Sequence, residues 1–170
     1  FAGLFQPLSD NQGAPVGFLL LQKTITLTLG DSEYALRLLP FLAGILSLAL
    51  MFLLTRKIAS AFASSLALAL FTFSPALIYY ASEVKQYSSD VAIALGLCLL
   101  FLSPKIHSYT DDTDPSADSH GKIFFKSVKS VYKKNLTLLA IAGIVAIWFS
   151  HPALFILGGI GLALFIPALR

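Results

Sequence analysis

The sequence predicts an all-α, polytopic membrane protein with about five transmembrane helices and one helix along the membrane surface. Three observations predict it. Of 170 residues, 56% are apolar and only 12% charged. That is about half the charge of an ordinary soluble domain, and one soluble core of this size cannot enclose so many apolar side chains. The charges also leave long gaps: 18 residues between Arg37 and Arg56, 25 from Ile58 to Ser82, 14 from Val91 to Pro104 and 35 from Asn135 to Leu169. Third, Lys and Arg gather in loops that would fall on one side of a bilayer. The composition argues against disorder and against a water-soluble enzyme. A net charge of +3 with the lysines in one segment gives no support to nucleic-acid binding. Cys98 is the single cysteine, so no intrachain disulfide forms. The chain opens on Phe1 without Met or a basic flank, so no signal peptide is expected, and it reads as a piece of something longer.

Residues 1–34 are read as an extracytoplasmic loop carrying the surface helix. Within GAPVGFLLLQKTITLTLG (13–30), Phe18, Leu21, Ile25 and Leu29 recur at helical spacing. TITLTL also alternates with period two, as a strand would, but the length and the limits at Pro15 and Gly30 favour a helix. Gly30 can close it, and Asp31 or Ser32 can cap the next helix.

Residues 35–103 should supply three transmembrane helices. A span needs roughly 20 apolar residues; the first two charge-free intervals meet this, and the third recruits Tyr87 to Asp90 as a polar first turn. Residues 104–134 read as a cytoplasmic Ser/Asp/Pro loop followed by a basic amphipathic helix, KIFFKSVKSVYKK, suited to anionic lipid. As one helix the last interval would run about 52 Å. His151-Pro152 near its middle divides it into two short passes, 135–150 and 152–169, or else bends a single re-entrant segment. If Arg56-Lys57 is cytoplasmic, parity brings Lys105, Lys122, Lys126, Lys129, Lys133 and Lys134 to the same side. Residues 1–34, the turn at 81–89 and His151 then face outward.

On that outward side, SPALIYYASEVKQYSSD places Glu83, Tyr87 and Asp90 at i, i+4 and i+7, one face of a helix, with Lys85 pointing elsewhere unless the backbone is irregular. Solvation of a helix end explains any one of these. Four such groups within eight residues, beside a Ser-Pro break, point to a lined cavity.

QGAPVGFLLLQK, GDSEYALRLLPFLAG and SPALIYYASEVKQYSSD, in that order, resemble the membrane glycosyltransferases of family 39, which include the protein mannosyltransferases and lipid A aminoarabinose transferases. The resemblance covers roughly residues 6–103 and is weaker over 135–169. It implies the GT-C fold, with this chain in the N-terminal half. It also implies an enzyme, in a bacterial plasma membrane, that moves a sugar from a polyprenyl-phosphate donor to an extracytoplasmic acceptor with inversion. The family's acidic pair, whose Asp is the general base, would precede residue 1, and Asp10 does not match it. Lys85 matches the basic position of the outer cluster and Arg37 the Arg opening a span, so both are expected at the donor phosphate. Interfacial snorkelling is an equal explanation for Arg37. Glu83 and Tyr87 would orient Lys85 or bind the sugar, and Asp90 would line the same cavity. Lys23 would attract the headgroup, unless it is only an anchor. His151 would line the donor or acceptor cavity; a hydrogen-bonded structural histidine is the plainer reading.

No cofactor is evident beyond the lipid-linked donor, and the residues do not decide for or against a divalent metal. Asp112, Asp114, Ser116 and Asp118 start like a calcium loop, but Ala117 and Ile123 stand where Gly and Glu are needed. His107, His120 and His151 are not spaced as a zinc site. Asn135-Leu136-Thr137 matches a glycosylation acceptor on the wrong side of the membrane. Gly159 and Ala163 could let two helices approach closely. The rival functions are a lipid or solute transporter and a non-catalytic assembly subunit.

Overall fold

The computed structural model describes residues 13–102 and 136–168. Asp10, the basic loop of 104–134 with its rejected calcium motif, His107, His120 and Asn135 lie outside the described residues. Those described form seven α-helices and, among them, no strand: α1 (Val16–Leu29), α2 (Glu33–Ile58), α3 (Ala61–Thr72), α4 (Pro75–Ser82), α5 (Tyr87–Phe101), α6 (Leu136–Phe149) and α7 (Ala153–Ala168).

Helix α1 runs between the two predicted punctuation marks. Pro15 precedes it in extended conformation, and Gly30 stops it at φ 85°, a left-handed backbone that glycine adopts without cost. The TITLTL segment is helical. Thr24, Thr26 and Thr28 donate their hydroxyls to the carbonyls of Leu20, Gln22 and Thr24 at 2.8, 2.9 and 2.9 Å, so each polar group is satisfied along the helix.

Ser32 caps α2 by accepting from the Ala35 N–H at 3.3 Å. Pro40 lies inside this helix and is fully buried. Lacking an N–H, it cannot reach the carbonyl of Leu36 one turn back. The Gln22 side chain fills that vacancy, its Nε2 donating to the Leu36 carbonyl at 2.7 Å. One proline thus gives α1 a docking point on α2.

The second charge-free interval is two helices rather than one. Helices α3 and α4 meet at 51°. Pro75 holds Ser74 in extended conformation, which ends α3 before it and starts α4 at Pro75 itself. Helices α6 and α7 form an antiparallel hairpin turned at Ser150, His151 and Pro152; a Cβ on Gly143 would stand 3.0 Å from Leu157 Cδ2. The close approach expected at Gly159 and Ala163 is absent: Gly159 has nothing within 4 Å and Ala163 is exposed. Gly17, Gly44 and Gly143 take that role, because they face neighbouring helices.

Helix α5 is the hub, packed between α2 on one side and the α6–α7 hairpin on the other. Half of the buried apolar residues are alanines, Ala35, Ala43, Ala92, Ala146 and Ala153, beside Phe18, Leu97, Leu139, Ile160 and Leu164. The large apolar residues Leu53, Phe62, Leu70, Phe155, Leu162 and Phe165 face outward, the reverse of a soluble core. By length and composition α2 can cross a membrane, with mean hydropathy 2.4 over a window only 17% buried, and α3 with α4 forms a second, bent candidate. Helices α1, α5, α6 and α7 are apolar but shorter.

Candidate functional site

The expected outward-facing segments do meet at one end of the molecule. Helix α1 crosses that end: it buries Gly17 and Phe18, with Gly17 against Phe149, while Gln86 donates to the Gly13 carbonyl at 3.1 Å. The start of α2, the turn between α4 and α5 and the α6–α7 turn are therefore neighbours.

A groove of about 650 Å³ opens here between α2, α3, α4 and α5. Its walls are apolar, including Leu38, Phe41, Ile45, Phe71 and Ile78, with Tyr34, Arg37, Ser82 and Ser88 supplying polar groups. Tyr34 and Arg37 stand on the first turns of α2. Arg37 pairs with Glu33 one turn earlier, with both side chains largely exposed at 47% and 73%. An exposed pair of this kind holds by only about 0.3–0.5 kcal/mol, so a stronger anion can take the guanidinium from it. An apolar channel with a cation at its lip suits a long hydrocarbon chain bearing an acidic head.

The sequence-derived candidates divide. Arg37 lines the groove. Glu83 and Lys85 sit in the irregular turn that joins two groove residues, Ser82 and Ser88. Glu83 is extended (φ −93°, ψ 145°), and the Lys85 N–H donates to the Glu83 carbonyl at 2.8 Å. This corrects the expectation of one helical face through Glu83, Tyr87 and Asp90. The helix breaks after Ser82, whose hydroxyl caps back onto the Tyr79 carbonyl at 2.7 Å, and restarts at Tyr87. Only Tyr87 and Asp90 share α5. Tyr87 packs against Tyr80 with the ring planes tilted by 58° and the centroids 4.5 Å apart. Lys85 and Lys23 are exposed and make no ion pair among the described residues.

Asp90 and His151 lie away from the groove. Asp90 is buried and faces the α6–α7 turn, where Ser150 and His151 are the side chains acting on its carboxyl. His151 is exposed on that turn. Tyr34, Ser88 and Ser150 were not anticipated. Ser150 could have been suspected from its place before His151-Pro152, whereas nothing in the chain singles out Tyr34. No group of three or more His, Cys, Asp or Glu side chains able to hold a metal occurs among the described residues. No family model, curated protein or solved structure matches the chain.

Proposed function

We propose that this chain is part of an integral-membrane glycosyltransferase that takes a sugar from a polyprenyl-phosphate donor and passes it to an acceptor outside the cytoplasm. The observation that carries the reading is the apolar groove with Arg37 at its lip. The hydrocarbon of the donor lies between α2 and α4, and its phosphate meets Arg37, with Lys85 on the adjoining turn. Negative charge grows on the phosphate as the bond to the sugar breaks, and fixed cations in a water-poor site stabilise it. The acceptor nucleophile attacks the anomeric carbon from the opposite face, giving inversion. Its general base belongs to an acidic pair outside this sequence.

The outward-facing large apolar residues support the membrane setting, since contiguous exposed apolar surface is costly in water. Helices α5, α6 and α7 have no polar stripe either, as expected of spans rather than surface helices. The polytopic arrangement, with α1 on the extracytoplasmic surface of a bacterial plasma membrane, belongs to this proposal. One observation favours the transporter instead: the 51° break between α3 and α4, since broken helices mark substrate paths in transporters.

The test is transfer of radiolabelled sugar from a defined polyprenyl phosphate by the intact protein in vesicles. The proposal expects transfer in the wild type, lost in Lys85→Ala with insertion unchanged. Uptake of solute without transfer would replace the enzyme with the transporter. Wild-type turnover by Lys85→Ala would remove that residue from the site.

A further inference from the structure

Helix α1 and the residues leading into it touch both segments that carry the cations of the groove. Near the middle of α1, Gln22 Nε2 donates at 2.7 Å to the carbonyl of Leu36, the residue before Arg37. At the entry to α1, the Gly13 carbonyl accepts at 3.1 Å from Nε2 of Gln86, the residue after Lys85. Pro15, with φ −60°, carries the chain from Gly13 into the helix with little freedom. Between the two anchor points Gly17 is pressed on the α6–α7 hairpin, where an added Cβ would stand 2.7 Å from the Trp148 carbonyl oxygen. The element that links the two cation-bearing segments is therefore stiff and itself held in place.

Neither segment is well fixed without it. None of Glu83, Val84, Lys85 and Gln86 is buried, so packing does not hold that turn. The Lys85 N–H to Glu83 carbonyl bond sets the shape of the turn but not its place. Among the described residues, the Gln86 bond is the only side-chain hydrogen bond from this turn to another element. In α2, Pro40 removes the backbone donor for Leu36, and Gln22 replaces it just ahead of Arg37. Two cations repel each other, so a fixed spacing between them has to be imposed by the scaffold.

We propose that α1 is a strut that sets the spacing between Arg37 and Lys85, with Gln22 and Gln86 as its two positioning residues. The ligand group served by that spacing is a phosphate reaching both cations, and in this respect the inference rests on the transferase reading.

The test uses the intact protein in lipid nanodiscs. Spin labels at Arg37→Cys and Lys85→Cys, in a Cys98→Ser background, report the spacing by dipolar EPR. The unlabelled protein is titrated with farnesyl phosphate, and with farnesol as the phosphate-free control. The expected distance distribution is narrow in the parent and broadened by either Gln22→Leu or Gln86→Leu. Farnesyl phosphate affinity should fall about two- to fivefold in Gln86→Leu, whose bond is exposed, and up to about tenfold in Gln22→Leu, whose bond is half-buried. Farnesol affinity should stay unchanged in both, a selectivity that general loosening of the fold would not give. The double variant should fall little below the more affected single one, because a strut freed at one end transmits nothing from the other. Unchanged distances in both variants overturn the strut. So does a preference for the phosphate that both variants keep in full. A parent that binds farnesol and farnesyl phosphate alike, with the distances broadened as expected, keeps the strut and removes the transferase reading.

Discussion

The Gln22–Leu36–Pro40 arrangement makes a quantitative prediction that no inspection of contacts alone would give. In Gln22→Leu the Leu36 carbonyl loses its 2.7 Å donor, and Pro40 prevents α2 from supplying another. Leaving a half-buried carbonyl unpaired costs about 1–3 kcal/mol. The variant also removes Gln22 Oε1, which is buried and unpartnered, so the net cost should lie near the lower end, about 1 kcal/mol. Pro40→Ala restores an N–H at position 40 and with it the intrahelical bond to Leu36. In that background Gln22→Leu should be close to neutral. The coupling energy of the double-mutant cycle is then about 1 kcal/mol, measured from reversible denaturation of the four proteins in mixed micelles. An equal cost of Gln22→Leu with and without Pro40 would refute the reasoning, because the hydrogen bond would then owe nothing to the proline.

Two glycines should respond in opposite directions to the same change. Gly17→Ala places its Cβ 2.7 Å from a backbone oxygen of Trp148 and should loosen α1, raising amide exchange along that helix; Gly159→Ala meets nothing within 4 Å and should stabilise α7 by about 0.5–1 kcal/mol. Gly143→Ala should fall between them, since its neighbour is the flexible end of Leu157; comparing the three melting temperatures checks the order. Arg37→Ala should change stability by no more than about 0.5 kcal/mol, as an exposed intrahelical pair implies, yet abolish sugar transfer; unchanged transfer kinetics would take Arg37 out of the phosphate site.

Local signals were legible in the chain. Pro15 and Gly30 bracket α1, Ser32 caps α2, Arg56 and Lys57 close it, and His151-Pro152 marks the hairpin turn. Each acts within a turn or two of its own position, which is why a one-dimensional reading reaches it. Helical periodicity misled at Glu83, where spacing alone implied a face shared with Asp90. The Ser82 hydroxyl and the extended Glu83 backbone broke the register instead. The groove required knowing that α4 turns 51° from α3, and the Asp90–Ser150 contact joins residues far apart in sequence. Gly159 and Ala163 had the right spacing for a close approach but lie on an outward face, a fact only packing decides.

The sidedness of the grooved end is tested most directly by thiol labelling in intact cells. With Cys98→Ser as background, Lys85→Cys, His151→Cys and Lys57→Cys would each be exposed to a membrane-impermeant maleimide added outside. Positions 85 and 151 should label without permeabilisation, and position 57, at the far end of α2, only after it. Labelling of 85 and 57 from the same side would contradict a membrane-crossing α2, and with it the extracytoplasmic site.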